Sequence, residues 1–187
     1  MGGPNSVYDS DEEFPSKNFE IEAIKHFSVN NKPVLGFCLG SQLIAYAFEA
    51  KVYPNTVEGK KFKETGFYNI GLTKLGKDDL IFNGFLEDFD VFQWHGDVFD
   101  LPKDSELLAY GDIVRNQAFK IKNAKTYAML FHLDFLPEMV KDLIRIDNQW
   151  LHFENKADEK EILRKAYKLE SSIKENGRIL FRNWMRL

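Results

Sequence analysis

The stretch Pro33-Val34-Leu35-Gly36-Phe37-Cys38-Leu39-Gly40-Ser41-Gln42-Leu43-Ile44-Ala45 is a short apolar run followed at once by a helix-forming run. The junction falls at Cys38, the only cysteine in the chain, with Gly36 before it and Gly40 after it. Glycines at this spacing let a strand and a helix approach closely, so the pattern predicts a sharp turn that exposes a reactive side chain. Free N–H groups at the start of the helix would favour a thiolate. A lone cysteine in an apolar run is usually a small buried hydrophobe, but the two glycines favour the nucleophile.

The composition is that of a globular protein of one domain. The 187 residues are 44% hydrophobic and 29% charged, and the net charge of -4 gives no reason to expect a nucleic-acid partner. A single cysteine excludes an internal disulfide framework and fits a reducing compartment. No apolar run approaches the ~20 residues that span a bilayer, and the sequence shows no basic, apolar leader. We therefore expect a cytoplasmic protein without a membrane partner.

The order of predicted elements indicates an α/β fold. A helix over 16–28, the strand that ends at Cys38 and a helix over 41–50 come first. Strand patterns follow up to His132, and helical periodicity returns after it. We expect residues 1–150 to form the main domain and 151–187 to form a helical extension packed on or beside it. In that extension a helix begins near Asp158, and we expect Gly177 to break it.

A cysteine nucleophile needs a base within hydrogen-bond reach, and the base needs a group that orients it. Of the four histidines, His95 and His132 stand at the ends of predicted strands. If the strands of Cys38 and His132 are parallel, both residues lie at the same sheet edge, where ligands gather. Asp134 is two residues beyond His132, so both side chains face the same way on an extended backbone. We therefore predict a Cys38–His132–Asp134 set.

Other interpretations of these residues stay open at this point. Asp134 could cap the following helix, and His132 could be a structural histidine at a strand end. For His95 we predict shaping of the ligand site or structural hydrogen bonding rather than catalysis. The two His-x-Asp pairs could also make a metal site, but nothing brings them together and Cys38 would have no role. We expect neither a metal nor another cofactor.

Four motifs make the chain resemble the class I glutamine amidotransferase domain, in the stand-alone branch similar to the amidotransferase domain of GMP synthase. They are the glycine turn at 2–9, the cysteine elbow at 33–42, the stretch Gln93-Trp94-His95-Gly96-Asp97 within 92–102, and Phe131-His132-Leu133-Asp134. The likeness covers residues 2 to about 146. It implies a three-layer, open and mostly parallel sheet with flanking helices, of the flavodoxin-like kind.

The resemblance also implies a mechanism. Cys38 attacks the side-chain amide of glutamine and forms a glutamyl thioester, while His132 moves the protons and ammonia leaves. The amides of Gly3 and Leu39 would stabilise the oxyanion, and Gln42 would help to hold the substrate.

The chain departs from the family pattern in two places. The family has glutamate where this chain has Asp134, which is one methylene shorter, and Glu138 does not match the spacing. Family members also carry a strand–helix–strand unit ahead of the glycine turn, so we expect this fold to lack that unit.

Three functions remain open from the sequence. The first is a glutamine-hydrolysing enzyme that supplies ammonia to a partner synthetase, because no Gly-x-x-x-x-Gly-Lys-Ser/Thr loop for ATP occurs here. The second is a γ-glutamyl peptidase or hydrolase that uses the same Cys38 and His132. The third is a catalytically silent domain that binds a partner or ligand. The sequence indicates no oligomeric state.

Overall fold

The computed structural model describes residues 5–152 and 157–187. In chain order its elements are α1 Lys17–Val29, β1 Val34–Phe37, α2 Leu39–Ala47, β2 Val52–Pro54, β3 Thr56–Val57, β4 Lys60–Lys61, β5 Glu64–Leu72, α3 Lys74–Asp78, a 3-10 helix Leu80–Phe82, β6 Asp88–His95, β7 Asp97–Phe99, β8 Ser105–Tyr110, β9 Ala118–Ile121, β10 Thr126–Met129, α4 Pro137–Ile146, α5 Asn148–His152 and α6 Glu159–Trp184.

A central sheet of six strands has the order β1-β10-β9-β8-β5-β6. Within the described ranges β1 and β10 are parallel, and the other four neighbouring pairs are antiparallel. The expected α/β class is confirmed, but the expectation of a mostly parallel sheet is wrong for the residues described. Strands β8, β9 and β10 follow one another through short connections, which join antiparallel neighbours, whereas parallel neighbours need a long crossover.

Two hydrophobic clusters lie on opposite faces of this sheet. Alternate residues of β10 point to opposite faces, and accordingly Met129 belongs to a cluster with α4 and α6, while Ala128 belongs to a cluster with α1 and α2. Both residues are 0% exposed. The predicted layering of helices on both faces of a sheet is therefore present.

Helix α6 runs without a break through Gly177, so the prediction that this glycine ends the helix is wrong. A Cβ atom at position 177 would lie 2.6 Å from the carbonyl oxygen of Leu133. Glycine in a helix costs roughly 1 kcal/mol relative to alanine, and close packing against the segment after β10 offsets that cost here. Ile173 and Leu180 of α6 are buried in the same cluster as the sheet. The division at residue 150 into a domain and an extension stays a prediction.

None of the helices in the described ranges is long and apolar enough to cross a membrane.

Candidate active site

Cys38 occupies the turn between β1 and α2 with a positive φ of 46° and a ψ of -111°. A non-glycine residue in such a conformation costs about 1–3 kcal/mol and typically marks a functional site. The turn is held because the Cys38 N–H donates to the carbonyl of Met129 at 2.9 Å. It also requires Gly36, where a Cβ atom would lie 2.4 Å from the carbonyl oxygen of Gly40. The predicted elbow is therefore present.

His132 lies at the same edge of the sheet as Cys38. Strands β1 and β10 are parallel, with Phe37 paired to Met129, so the residues that follow both strands emerge together. The backbone N–H of His132 donates to Phe92 of β6 at 2.8 Å, and the Phe92 N–H donates to the His132 carbonyl at 3.1 Å. The ring of Phe135 packs edge-on against the imidazole at 4.8 Å between centroids. Backbone and ring contacts thus fix the position of the imidazole.

Asp134 reaches His132 in spite of its short side chain. The distance from His132 Nδ1 to Asp134 Oδ1 is 3.0 Å. Burial acts to lower the pKa of His132, but hydrogen bonding and charge from Asp134 and from Cys38 outweigh burial and raise the pKa to about 9. Burial likewise acts to raise the pKa of Asp134, but the hydrogen bond and charge of His132 hold it below its usual value. The three side chains therefore interact as one electrostatic unit.

The other interpretations of Asp134 do not fit this geometry. The residue that caps α4 is Leu136, not Asp134. Glu138 lies in the first turn of α4, where its carboxylate accepts a hydrogen bond from the hydroxyl of Tyr167 at 2.7 Å. The orienting position beside His132 is thus taken by Asp134.

The end of β6 lies against the elbow. The thiol of Cys38 donates to the carbonyl of Trp94, with 3.8 Å between Sγ and O. The side chain of Gln42, which is 5% exposed, donates from Nε2 to the carbonyl of Asp97 at 3.1 Å. Both contacts tie the first turns of α2 to the segment 94–97. Gln42 is therefore next to the elbow, although its amide N–H is engaged by the protein.

The structure describes one of the two predicted oxyanion donors. Leu39 is the first residue of α2, and an N–H group in the first turn of a helix has no acceptor within that helix. Gly3 lies outside the described residues. The chain after it approaches the site, because the Ser6 side chain lies near enough to the Asp97 carboxylate to lower its pKa. Burial raises the pKa of Asp97 against the lowering effects of His95 and Ser6.

His95 is buried at the end of β6, next to Glu64. Its side chain is 1% exposed, and Nε2 lies 3.1 Å from Oε2 of Glu64, whose side chain is 2% exposed. The amide of Gln117 donates to Glu64 at 3.1 Å and accepts from Gln93 at 2.6 Å. The Glu64 contact is close in distance, but neither ring nitrogen of His95 makes a hydrogen bond within the described residues. Both roles predicted for His95 therefore stay predictions.

Glu64, Gln93 and Gln117 are neighbours of the site that the sequence did not reveal. Glu64 stands in the polar stretch 55–65, whose composition predicts a loop, whereas in the structure it begins β5 directly opposite His95. The available signal was weak, because only the register of two strands far apart in sequence brings Glu64 to His95. In the described part of the chain, no group of three or more histidine, cysteine or acidic side chains could hold a metal ion.

Comparisons with known proteins agree with this arrangement. The family model described as glutamine amidotransferase class-I matches residues 1–145. The glutamine-hydrolysing GMP synthase of Porphyromonas gingivalis is 33% identical over 133 residues, which are 70% of this chain and 23% of that protein. One of the subunits of the glutamine-hydrolysing GMP synthase of Methanobrevibacter smithii is 32% identical over 112 residues, or 59% of this chain and 53% of that protein.

A solved structure supports the same assignment. The crystal structure of a glutamine amidotransferase from Thermotoga maritima matches with a TM-score of 0.84 and 30% identity over 98% of this chain and 75% of that chain. The chain spans about a quarter of the first curated relative and about half of the second. The resemblance drawn from the four motifs is confirmed, and the chain belongs to the class I glutamine amidotransferase family.

Proposed function

We propose that this protein hydrolyses the side-chain amide of glutamine with Cys38 as nucleophile and His132 as acid–base catalyst. The observation that carries the proposal is the elbow itself. It holds Cys38 at positive φ, at the edge of the sheet where the parallel neighbour β10 delivers the His132–Asp134 pair. A satisfied core cysteine would need neither the unfavourable backbone nor the oriented imidazole.

In the first half-reaction the proton of the Cys38 thiol already lies on Nε2 of His132, because Nδ1 faces Asp134, and the Cys38 thiolate attacks the amide carbonyl. The imidazolium then protonates the leaving nitrogen, so the C–N bond breaks and ammonia departs. The glutamyl group stays on Cys38 as a thioester. The pKa of about 9 for His132 lets the imidazole keep this proton at neutral pH until the leaving group takes it.

In the second half-reaction His132 takes a proton from water, and the hydroxide oxygen attacks the thioester. The C–S bond breaks, glutamate leaves and the Cys38 thiolate is restored beside the His132 imidazolium. In both halves the negative oxygen of the tetrahedral intermediate would lie near the N–H of Leu39 at the start of α2 and, by the family resemblance, near the N–H of Gly3. Losing one such donor commonly costs about 3 kcal/mol of transition-state stabilisation.

We further propose that the ammonia serves a partner synthetase. The relative from Methanobrevibacter smithii is named as one subunit of a glutamine-hydrolysing GMP synthase, and this name implies that the enzyme has at least one other. The sequence carries no Gly-x-x-x-x-Gly-Lys-Ser/Thr loop for ATP, so activation of an acceptor would fall to such a partner.

The test is to incubate the purified protein with glutamine and to measure glutamate and ammonia, with Cys38→Ala as the paired variant. We expect stoichiometric release of both products by the wild type and none by the variant. Turnover of γ-glutamyl peptides without turnover of glutamine would replace this proposal with a γ-glutamyl hydrolase. If folded protein turns over neither substrate, and a diazo-ketone analogue of glutamine leaves Cys38 unlabelled, the enzyme proposal is wrong.

A further inference from the structure

A buried polar network includes residues of the strand β6, whose Trp94 carbonyl contacts Cys38. It consists of Glu64, Gln93, His95 and Gln117, and their exposed fractions are 2%, 0%, 3% and 0%. Glu64 Oε2 contacts His95 Nε2 at 3.1 Å and accepts from Gln117 Nε2 at 3.1 Å, while Gln93 donates to Gln117 at 2.6 Å. A carboxylate buried this deeply is costly unless its partners compensate for lost water.

The polar network holds the end of β6 and the residues that follow it in a fixed position. Glu64 and His95 are direct cross-strand partners at the end of the β5–β6 pair, and Thr65 faces Trp94 in the same register. Beyond His95, the Gly96 carbonyl accepts from the Asn55 N–H at 2.8 Å. The Glu64–His95 contact therefore fixes the last residues of β6 where the strand leaves the sheet.

Two carbonyls of this fixed segment face the nucleophile and its helix. The Trp94 carbonyl, adjacent in sequence to His95, accepts from the Cys38 thiol. The Asp97 carbonyl, two residues after His95, accepts from the Gln42 amide. A shift of the segment would move both acceptors at once relative to Cys38 and Gln42.

We propose that Glu64 and His95 act as a positioning pair, which holds the Trp94 and Asp97 carbonyls in place against Cys38 and Gln42. Neither side chain touches the reacting atoms in this scheme. Their effect on turnover rests on the proposed function, whereas their effect on the chemical reactivity of Cys38 does not. This second effect can be measured without a substrate.

The test compares Glu64→Gln with a matched control at a second buried carboxylate. Glu64→Gln keeps the shape of the side chain but removes its charge from beside His95. Asp79→Asn removes a carboxylate that contacts Lys120 at 3.0 Å and Tyr127 at 3.1 Å. Tyr127 is five residues before His132 in the sequence. Because Cys38 is the only cysteine, alkylation by iodoacetamide reports on it alone.

We expect Glu64→Gln to lower the midpoint of the pH profile of Cys38 alkylation by roughly half a pH unit. The Trp94 carbonyl accepts from the protonated thiol, so losing this acceptor disfavours the thiol form. Asp79→Asn should lower the melting temperature about as much as Glu64→Gln does but should leave the alkylation profile unchanged. Glu64→Asp should restore part of the wild-type profile. In the glutamine assay Glu64→Gln should lower kcat/KM about 10- to 100-fold, as expected when a site is misplaced by about an ångström.

Identical alkylation profiles for the wild type, Glu64→Gln and Asp79→Asn would overturn the positioning role. A changed profile in a protein that does not hydrolyse glutamine would support the positioning role while rejecting the proposed function. The two proposals can therefore fail separately.

Discussion

At the scale of single residues, the proposed chemistry depends on a proton on Nε2 of His132, which Asp134 supports from Nδ1. His132 lies 3.0 Å from Asp134, and Cys38 and Asp134 both raise its pKa, which reaches about 9. An imidazole with this value stays protonated through neutral pH. Its positive charge is available to a leaving amine, and this is what the proposed chemistry requires of an acid.

The raised pKa of His132 predicts how stability depends on pH. Because the folded-state pKa exceeds the ordinary 6.5, the stabilising contribution is complete below about pH 6.5 and disappears as pH rises through about 9. We expect the free energy of unfolding to fall over this window by at most about 3 kcal/mol. Urea titrations at several pH values measure it, and an NMR titration of His132 checks the assignment. A flat profile in this window would contradict the raised value.

Replacing the orienting carboxylate should separate Asp134 from its neighbour Glu138. We expect Asp134→Asn to lower the pKa of His132 and to reduce kcat for glutamine about 10²- to 10⁴-fold, because both the tautomer and the imidazolium lose their support. The exposed Glu138→Gln is the control and should change kcat little. Equal losses of kcat in Asp134→Asn and Glu138→Gln would show that Asp134 does not orient His132 for the reaction.

At the scale of elements, the elbow and α6 both depend on glycines at close contacts. Gly177 of α6 lies against the carbonyl of Leu133, which directly follows His132 in the chain. The helix therefore touches the segment that carries His132, the proposed base. A side chain added at this point would push that segment.

We predict that Gly177→Ala destabilises the protein, against the usual gain of about 1 kcal/mol for this change in a helix. The added Cβ would lie 2.6 Å from the Leu133 oxygen, and such overpacking typically costs about 1–3 kcal/mol. Ser171→Ala, at an exposed site in the same helix, is the matched control and should be neutral or stabilising. Urea denaturation measures both, and a stabilised Gly177→Ala would refute the close contact.

The elements differ in how far the sequence reveals them. The elbow was predictable because glycine spacing, an apolar strand and a helix are all local within 33–45. The placement of Cys38 and His132 at one edge was made conditional on parallel strands before them, and that parallel pairing is observed. The sheet was expected to be mostly parallel because the family resemblance implied it, whereas the short connections between β8, β9 and β10 join antiparallel neighbours. Glu64 was missed for a different reason, because its partner His95 is found only through the β5–β6 register.

At the scale of the whole molecule, α6 belongs to the core that supports the site. Ile173 is 1% exposed and lies in the same cluster as Phe92, whose backbone holds His132. The C-terminal residues are therefore coupled through packing to the sheet edge that carries the proposed site. We expect the described chain to unfold as one unit.

Truncating one core side chain of α6 tests this coupling. We predict that Ile173→Ala costs about 2–5 kcal/mol, as buried large-to-small substitutions do, and keeps a single urea transition. Lys174→Ala, whose side chain is 59% exposed, should be nearly neutral. Two separate transitions, with the site intact after the first, would show instead that 151–187 folds independently.

The most direct measurement is the intact mass of the protein quenched in acid during turnover of glutamine. We predict that a fraction of the wild type carries one glutamyl group on Cys38, that hydroxylamine removes it, and that Cys38→Ala never acquires it. Rapid glutamine hydrolysis that continues undiminished in Cys38→Ala, with no adduct in either protein, would contradict the central claim that Cys38 forms a glutamyl thioester.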